Sequence, residues 1–130
     1  MKNNLILVSL LVRDYDEAIR YYTDVLGFRL TEDKAMEEGK RWVVVHPPGS
    51  DACGLLLARA KGDKQVGAIG QQTGGRVGFF LHTDSFSVMH ERLLQHNVAI
   101  VRGPVDEEYG KVLVFADLYG NLWDLIQPCK

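Results

Sequence analysis

The chain is poor in the features that would assign it quickly. It has two cysteines in 130 residues, Cys53 and Cys129, and no motif spacing joins them. They read as free thiols of a reducing compartment, not as a disulfide framework. Net charge is −2, so the basic excess that would point to nucleic acid is absent. No apolar run approaches the roughly 20 residues of a membrane-spanning helix. Arg13-Asp14 interrupts the N-terminal run after Leu5–Val12, too early for a signal peptide. The expected location is the cytoplasm. No serine or cysteine has a recognisable base near it in sequence, and Gly67–Gly70 and Gly74-Gly75 do not stand between a strand and a helix as a phosphate-cradling loop must.

What is present is a regular grammar of strands and helices. With 46% apolar and 25% charged residues, the chain has enough to bury for one packed domain, 1–130. Leu5–Val12 is a continuous apolar run and reads as a buried strand. Asp14 caps a helix, with Glu17 at the capping-box distance. Tyr15, Ala18, Ile19, Tyr22, Val25 and Leu26 form its apolar stripe, and Gly27 supplies the left-handed residue that ends it. Strands are expected over 28–32, 41–46 and 52–59, with a charged turn over 33–40 and a stop at Pro47-Pro48-Gly49.

A glycine- and glutamine-rich connector follows, residues 60–75, either a plain linker or a lid. The grammar then restarts. Residues 76–82 form a strand, Asp84 a helix cap, and Phe86, Met89, His90, Leu93 and Leu94 a helical stripe, with Asn97 in the left-handed role. Further strands are expected over 98–101, 111–116 and 122–127, with a break at Gly103-Pro104 and a solvated acidic turn over 106–108. Shifting the second half back by 70 places Asp84 on Asp14 and Asn97 on Gly27. The chain is therefore an internal repeat, with repeat one over 4–59 and repeat two over 76–128. The fold class is α+β: two β-α-β-β-β units whose curved mixed sheets enclose a cavity, and the inner sheet face is where chemistry is expected.

The last stretch carries the sharpest feature. After the turn Tyr119-Gly120-Asn121, a single carboxylate, Asp124, stands among Leu122, Trp123, Leu125 and Ile126. A carboxylate on an otherwise apolar strand face is costly to bury without a partner.

Leu11-Val12-Arg13-Asp14, Phe28 after Val25-Leu26-Gly27, and the ending Asp117-x-x-Gly120-x-x-x-Asp124-Leu125 resemble the vicinal oxygen chelate superfamily. That group includes glyoxalase I, bleomycin-resistance proteins, fosfomycin-resistance thiol transferases and extradiol dioxygenases. The resemblance covers the whole chain and implies the paired fold, a homodimer, and a metal held by histidines and carboxylates on inner strands. Matched position by position, those ligand places fall on Leu7, Gly78, the Leu55–Leu57 run and Asp124. Only Asp124 has a donor side chain, so no cofactor and no metal ligand set are expected, since a stable site needs three or more converging donors. A non-standard set would have to draw on His46, His82 and Asp124.

Alternation along 76–82 puts Phe80 and His82 on the face of Gly78, beside Asp124. Asp124 and His82 are the candidate catalytic pair, a carboxylate and an imidazole for acid-base work; the competing reading of His82 is a solvated strand end. Phe80, Trp42, Tyr109 and His46 are candidates for substrate binding. Trp123 should point the other way, under a helix. The expected function is binding of a small organic molecule in the inner-sheet cavity, without nucleic acid or membrane partners. The alternative is a lyase, isomerase or dioxygenase of the same superfamily, metal-free or with a non-standard metal site.

Overall fold

A computed structural model describes residues 1–129. The chain divides into two compact units, Met1–Ile69 and the stretch from Gly70 onward. The first contains β1 (Leu7–Val12), α1 (Tyr15–Arg20), β2 (Arg29–Ala35), β3 (Arg41–His46), β4 (Gly54–Arg59) and α2 (Gly62–Ala68). The second contains β5 (Val77–His82), α3 (Phe86–Gln95), β6 (Ala99–Glu107), β7 (Gly110–Ala116) and β8 (Leu122–Pro128). The two sheets have the same order, β1-β4-β3-β2 and β5-β8-β7-β6. In each, the first and last strands of the unit pair in parallel and the other pairs are antiparallel. The architecture is α+β with two mixed four-stranded sheets. No helix among the described residues is long and apolar enough to cross a membrane.

In the first unit the Asp14 carboxylate accepts a hydrogen bond from Glu17 N at 2.8 Å, which satisfies one of the helix's orphan donors. Glu17 does not complete a capping box; its own carboxylate takes Arg13 at 2.7 Å. The stripe residues Ala18, Tyr22 and Leu26 are fully buried, as are Leu10, Val12, Val43, Val45 and Leu57 of the sheet. Each buried valine or leucine among them contributes roughly 2 kcal/mol of hydrophobic stabilisation. In the second unit Phe86, Met89 and Leu93 of α3 and Leu113, Phe115, Trp123 and Leu125 of the sheet are buried in the same way.

The repeat offset is not a constant 70. Gly78 is an extra residue in β5: Val77 pairs with Leu122 and Phe79 with Trp123, so Gly78 forms a bulge. From there the offset is 71, which is why α3 is preceded by Ser85 and not Asp84. Tyr21–Val25 of the first unit forms a π turn that extends α1. Such a turn absorbs one extra residue and returns the offset to 70, so Gly27 at φ 76° and Asn97 at φ 57° end equivalent helices.

Several expectations are corrected. Leu5 and Ile6 lie before β1 and are exposed. β2 runs on to Ala35, because Asp33 and Lys34 pair with Val43 and Trp42, and the charged turn shrinks to a 3-10 turn at Glu37–Gly39. The Asp84 carboxylate accepts from the Ser85 hydroxyl instead of capping α3; the first helical N–H, on Phe86, is taken by Gln127 Oε1 of β8 at 2.8 Å. Leu94 is exposed. Gly103-Pro104 does not break the strand; β6 passes through it with register shifts and carries Asp106 and Glu107 in its ladder. The connector contains α2, all of whose residues but Ala68 are exposed.

Candidate functional site

Register fixes which residues share a face in the second unit. Phe80 pairs with Asp124 and His82 with Ile126 across the parallel β5/β8 ladder, so Phe80, His82, Asp124 and Ile126 project to one side. Val114 lies opposite Asp124 on β7, and Arg102 opposite Val114 on β6. Trp123 projects to the other side and stacks on Phe79 at 4.4 Å between ring centroids, under α3 as expected. Phe80, despite its apolar ring, is 67% exposed, and His82 is exposed at the strand end.

Asp124 is the unusual member. Its Oδ1 is buried and has no hydrogen-bond partner among the described residues. Burial pushes its carboxyl pKa up, and the Arg102 charge opposes that shift. Arg102 itself is committed to Glu107 at 2.7 Å. Tyr109 sits in the β6/β7 turn and is exposed. It lies beside the Gly110–Pro128 pair, at the far end of the strand from the Val114–Asp124 pair.

The turn before β8 is tied by Asp117, which is buried. Its carboxylate accepts from Tyr119 N, Asn121 N, Asn121 Nδ2 and Trp123 Nε1 at 2.9–3.2 Å. An aspartate opening a turn in this way satisfies backbone donors that would otherwise be orphaned. Asp117 therefore anchors the turn that sets the start of β8, and with it the placement of Asp124.

The first unit holds an open cleft of about 530 Å³. Trp42, Leu56 and Ala58 wall it, and Arg59, Lys61 and Gln65 stand around it. Trp42 Nε1 donates to Glu32 at 3.3 Å. Arg41 and Trp42 lie on opposite faces of β3, yet both line this cleft. His46, at the other end of β3, is partly buried. Its Nδ1 lies 2.9 Å from Thr31 Oγ1, and its ring occupies the space that a side chain at Gly54 would need.

The positions that the resemblance assigns to metal ligands include Leu7, Leu56 and Gly78. Leu7 pairs with Gly54, and Leu56 with Ser9. At Gly78 a Cβ would come within 2.8 Å of the Thr73 methyl, so no ligating side chain fits there without displacing it. Among the described residues, no three His, Cys, Asp or Glu side chains are grouped to hold a metal ion.

Two residues that the spacing of motifs does not single out belong to these sites. Arg59 is one, because its lack of an acidic partner is visible only in three dimensions. Leu56 is the other, since nothing in the Leu55–Leu57 run tells which of its residues lines a cleft. Asp117 had a sequence signal, a turn-forming aspartate before Gly-Asn.

Comparison with known proteins agrees with this geometry. Residues 5–125 match the family model Glyoxalase/Bleomycin resistance protein/Dioxygenase superfamily. An uncharacterised protein of Shewanella frigidimarina is 51% identical over 98% of this chain and 95% of its own length. Among solved structures, TnmS3, an antibiotic binding protein from Streptomyces sp. CB03234, is 30% identical, covers 98% of each chain and superposes with a TM-score of 0.80. UcmS2 is 29% identical over 97% of this chain and 98% of its own, with a TM-score of 0.84. With its paired sheets, and a family match that runs from before β1 into β8, the chain belongs to the glyoxalase/bleomycin resistance protein/dioxygenase superfamily.

Proposed function

We propose that this protein binds and sequesters a small organic molecule with a planar, largely apolar body. The observation that carries this reading is the first unit's cleft, about 530 Å³ in volume and walled by Trp42, Leu56 and Ala58. That volume lies in the range of drug-sized ligand sites, and an indole in the wall suits an aromatic ring. The likeness to TnmS3, described as an antibiotic binding protein, supports the same reading. The missing donors at Leu7, Gly78 and Leu56 favour binding over metal chemistry, and the homodimer implied by the family belongs to the same reading. The test is a titration of tryptophan fluorescence with a panel of planar aromatic compounds. Saturable quenching in the wild type that is lost in Trp42→Phe, while Trp123 emission stays constant, is the expected result. Absence of any saturable response across the panel would remove the reading.

A second reading is favoured by one observation. Asp124, with its raised pKa and unpartnered oxygen, shares a sheet face with His82, an arrangement suited to acid-base catalysis in a lyase or isomerase. Turnover abolished by Asp124→Asn and by His82→Gln, in protein stripped of metal, would establish it.

A further inference from the structure

The cleft of the first unit contains two guanidinium groups in opposite circumstances. Arg41 lies 5.2 Å from the centre of the Tyr15 ring and Arg59 lies 5.1 Å from it, so one aromatic ring holds both in place through cation–π contact. Arg41 is spent: Asp33 takes it at 2.8 Å and Asp16 at 2.9 Å, and these two carboxylates hold it more firmly in its charged form. Among the described residues Arg59 has no carboxylate partner, and its one hydrogen bond there is a long donation from Nη2 to Gly39 O at 3.4 Å, which leaves most of its five N–H donors unused. Four other arginines, Arg13, Arg29, Arg41 and Arg102, each reach an acid. Arg59 instead stands beside the cleft with its fork open.

The rest of the rim is mixed in charge. Lys40 and Lys61 line the cleft with Arg59, against Glu37 and Glu38, and none of these four makes an ion pair among the described residues. The lining sets three cations against Glu37 and Glu38, and Arg41 with Asp16 and Asp33 adds one acid in excess, so the selectivity rests on the fork of Arg59 and not on net charge. Glu37 and Glu38 sit on the exposed 3-10 turn, whereas Arg59 is braced on Tyr15. A braced, unpaired guanidinium next to an apolar wall matches a carboxylate, because the planar fork accepts two parallel N–H···O bonds without further ordering.

Resting on the binding reading above, we infer that the cleft selects aromatic carboxylic acids, with the ring against Trp42 and the carboxylate on Arg59. Calorimetric titration of the full chain with 2-naphthoate and with methyl 2-naphthoate separates the two claims, since the pair shares a ring and differs in charge. The acid should bind at least tenfold more tightly than the ester. Arg59→Gln should abolish that preference while leaving ester affinity unchanged, and Arg59→Lys, which keeps the charge and loses the fork, should restore only part of it. A Lys61→Gln variant should lose less than Arg59→Gln and only at low salt, as expected for a screened, non-contacting charge. Equal binding of acid and ester by the wild type, or an unchanged preference in a folded Arg59→Gln, overturns the inference and leaves the binding reading standing. Tighter binding of 2-naphthylmethylammonium, through Glu37 and Glu38, also overturns it. If neither naphthoate nor its ester binds, this inference fails; the binding reading is judged separately by its fluorescence panel.

Discussion

Leu56 of β4 and Asp124 of β8 occupy the same place in two copies of one sheet. Leu56 faces Ser9 across its parallel ladder and Val44 across its antiparallel one; Asp124 faces Phe80 and Val114 in the corresponding ladders. One copy therefore has an apolar wall where the other has a carboxylate, and the two halves of the protein present different chemistry from one template.

The carboxylate should cost stability when ionised. Burial raises the Asp124 pKa above its ordinary 3.8, with the Arg102 charge opposing, so the folded state binds this proton more tightly than the unfolded chain does. Stability from this group is then greatest below the ordinary value, falls as pH rises through the interval up to the raised value, and is flat beyond it. Asp124→Asn removes that dependence. Urea unfolding at neutral pH should find the variant more stable, and the difference should vanish below the ordinary carboxyl pKa. A variant less stable than the wild type at neutral pH would mean that Asp124 has a partner in solution.

A methyl group crowds Gly78. A Cβ there would meet Thr73 Cγ2 at 2.8 Å, and Thr73 is fixed by donation from its hydroxyl to Arg76 O at 2.7 Å. Gly78→Ala should destabilise the protein by roughly 1–2 kcal/mol. Thr73→Ser removes the methyl and keeps the hydroxyl, so Gly78→Ala made in that background should cost much less. The double-mutant cycle measures the coupling directly; additive effects would show that the bulge, not the methyl, enforces glycine.

The same bulge marks the limit of what the sequence discloses. The repeat was legible because a cap, an apolar stripe and a left-handed stop recur at Asp14, Tyr15–Leu26 and Gly27 and again around Phe86–Asn97, and β3 (Arg41–His46) was legible to the residue. The two compensating insertions, at Gly78 and in the Tyr21–Val25 turn, change no hydrophobic residue and leave no periodic trace. Alternation from Gly78 assigns Phe80 and His82 to the face of Asp124; they lie there because the bulge puts them in register with Asp124 and Ile126. α2 leaves no sequence signal because it buries nothing: Val66 is 54% exposed, so no apolar stripe announces it. Arg59 could not be found from spacing, since what distinguishes it is a partner it lacks.

Asp117 is expected to matter more than Asp124 for folding. It is buried and collects bonds from two backbone amides, the Asn121 amide and the Trp123 indole. Asp117→Ala leaves those donors without an acceptor, and hydrogen bonds to a charged group are the costlier kind to lose. A loss of roughly 3–4 kcal/mol in urea unfolding is expected. Asn121→Ala, which removes one donor and leaves the carboxylate served by the others, should cost on the order of 1 kcal/mol. Similar losses for the two variants would mean that the turn is held by its backbone conformation alone.

Two glycines after α2 separate strain from contact. Gly70 and Gly74 both have positive φ, 74° and 68°, a region that side chains with a Cβ enter at a cost of about 1 kcal/mol. They differ in surroundings: a Cβ at Gly74 meets nothing, whereas one at Gly70 runs into the Tyr119 carbonyl, at the turn organised by Asp117. Gly74→Ala should therefore cost only the conformational term, about 1 kcal/mol. Gly70→Ala adds a backbone clash that no rotamer change relieves, and should lose at least 2 kcal/mol. Thermal unfolding of the two variants side by side checks this. Equal midpoints would show that Gly70 does not rest against Tyr119 in solution, and that the segment between α2 and β5 is not anchored there.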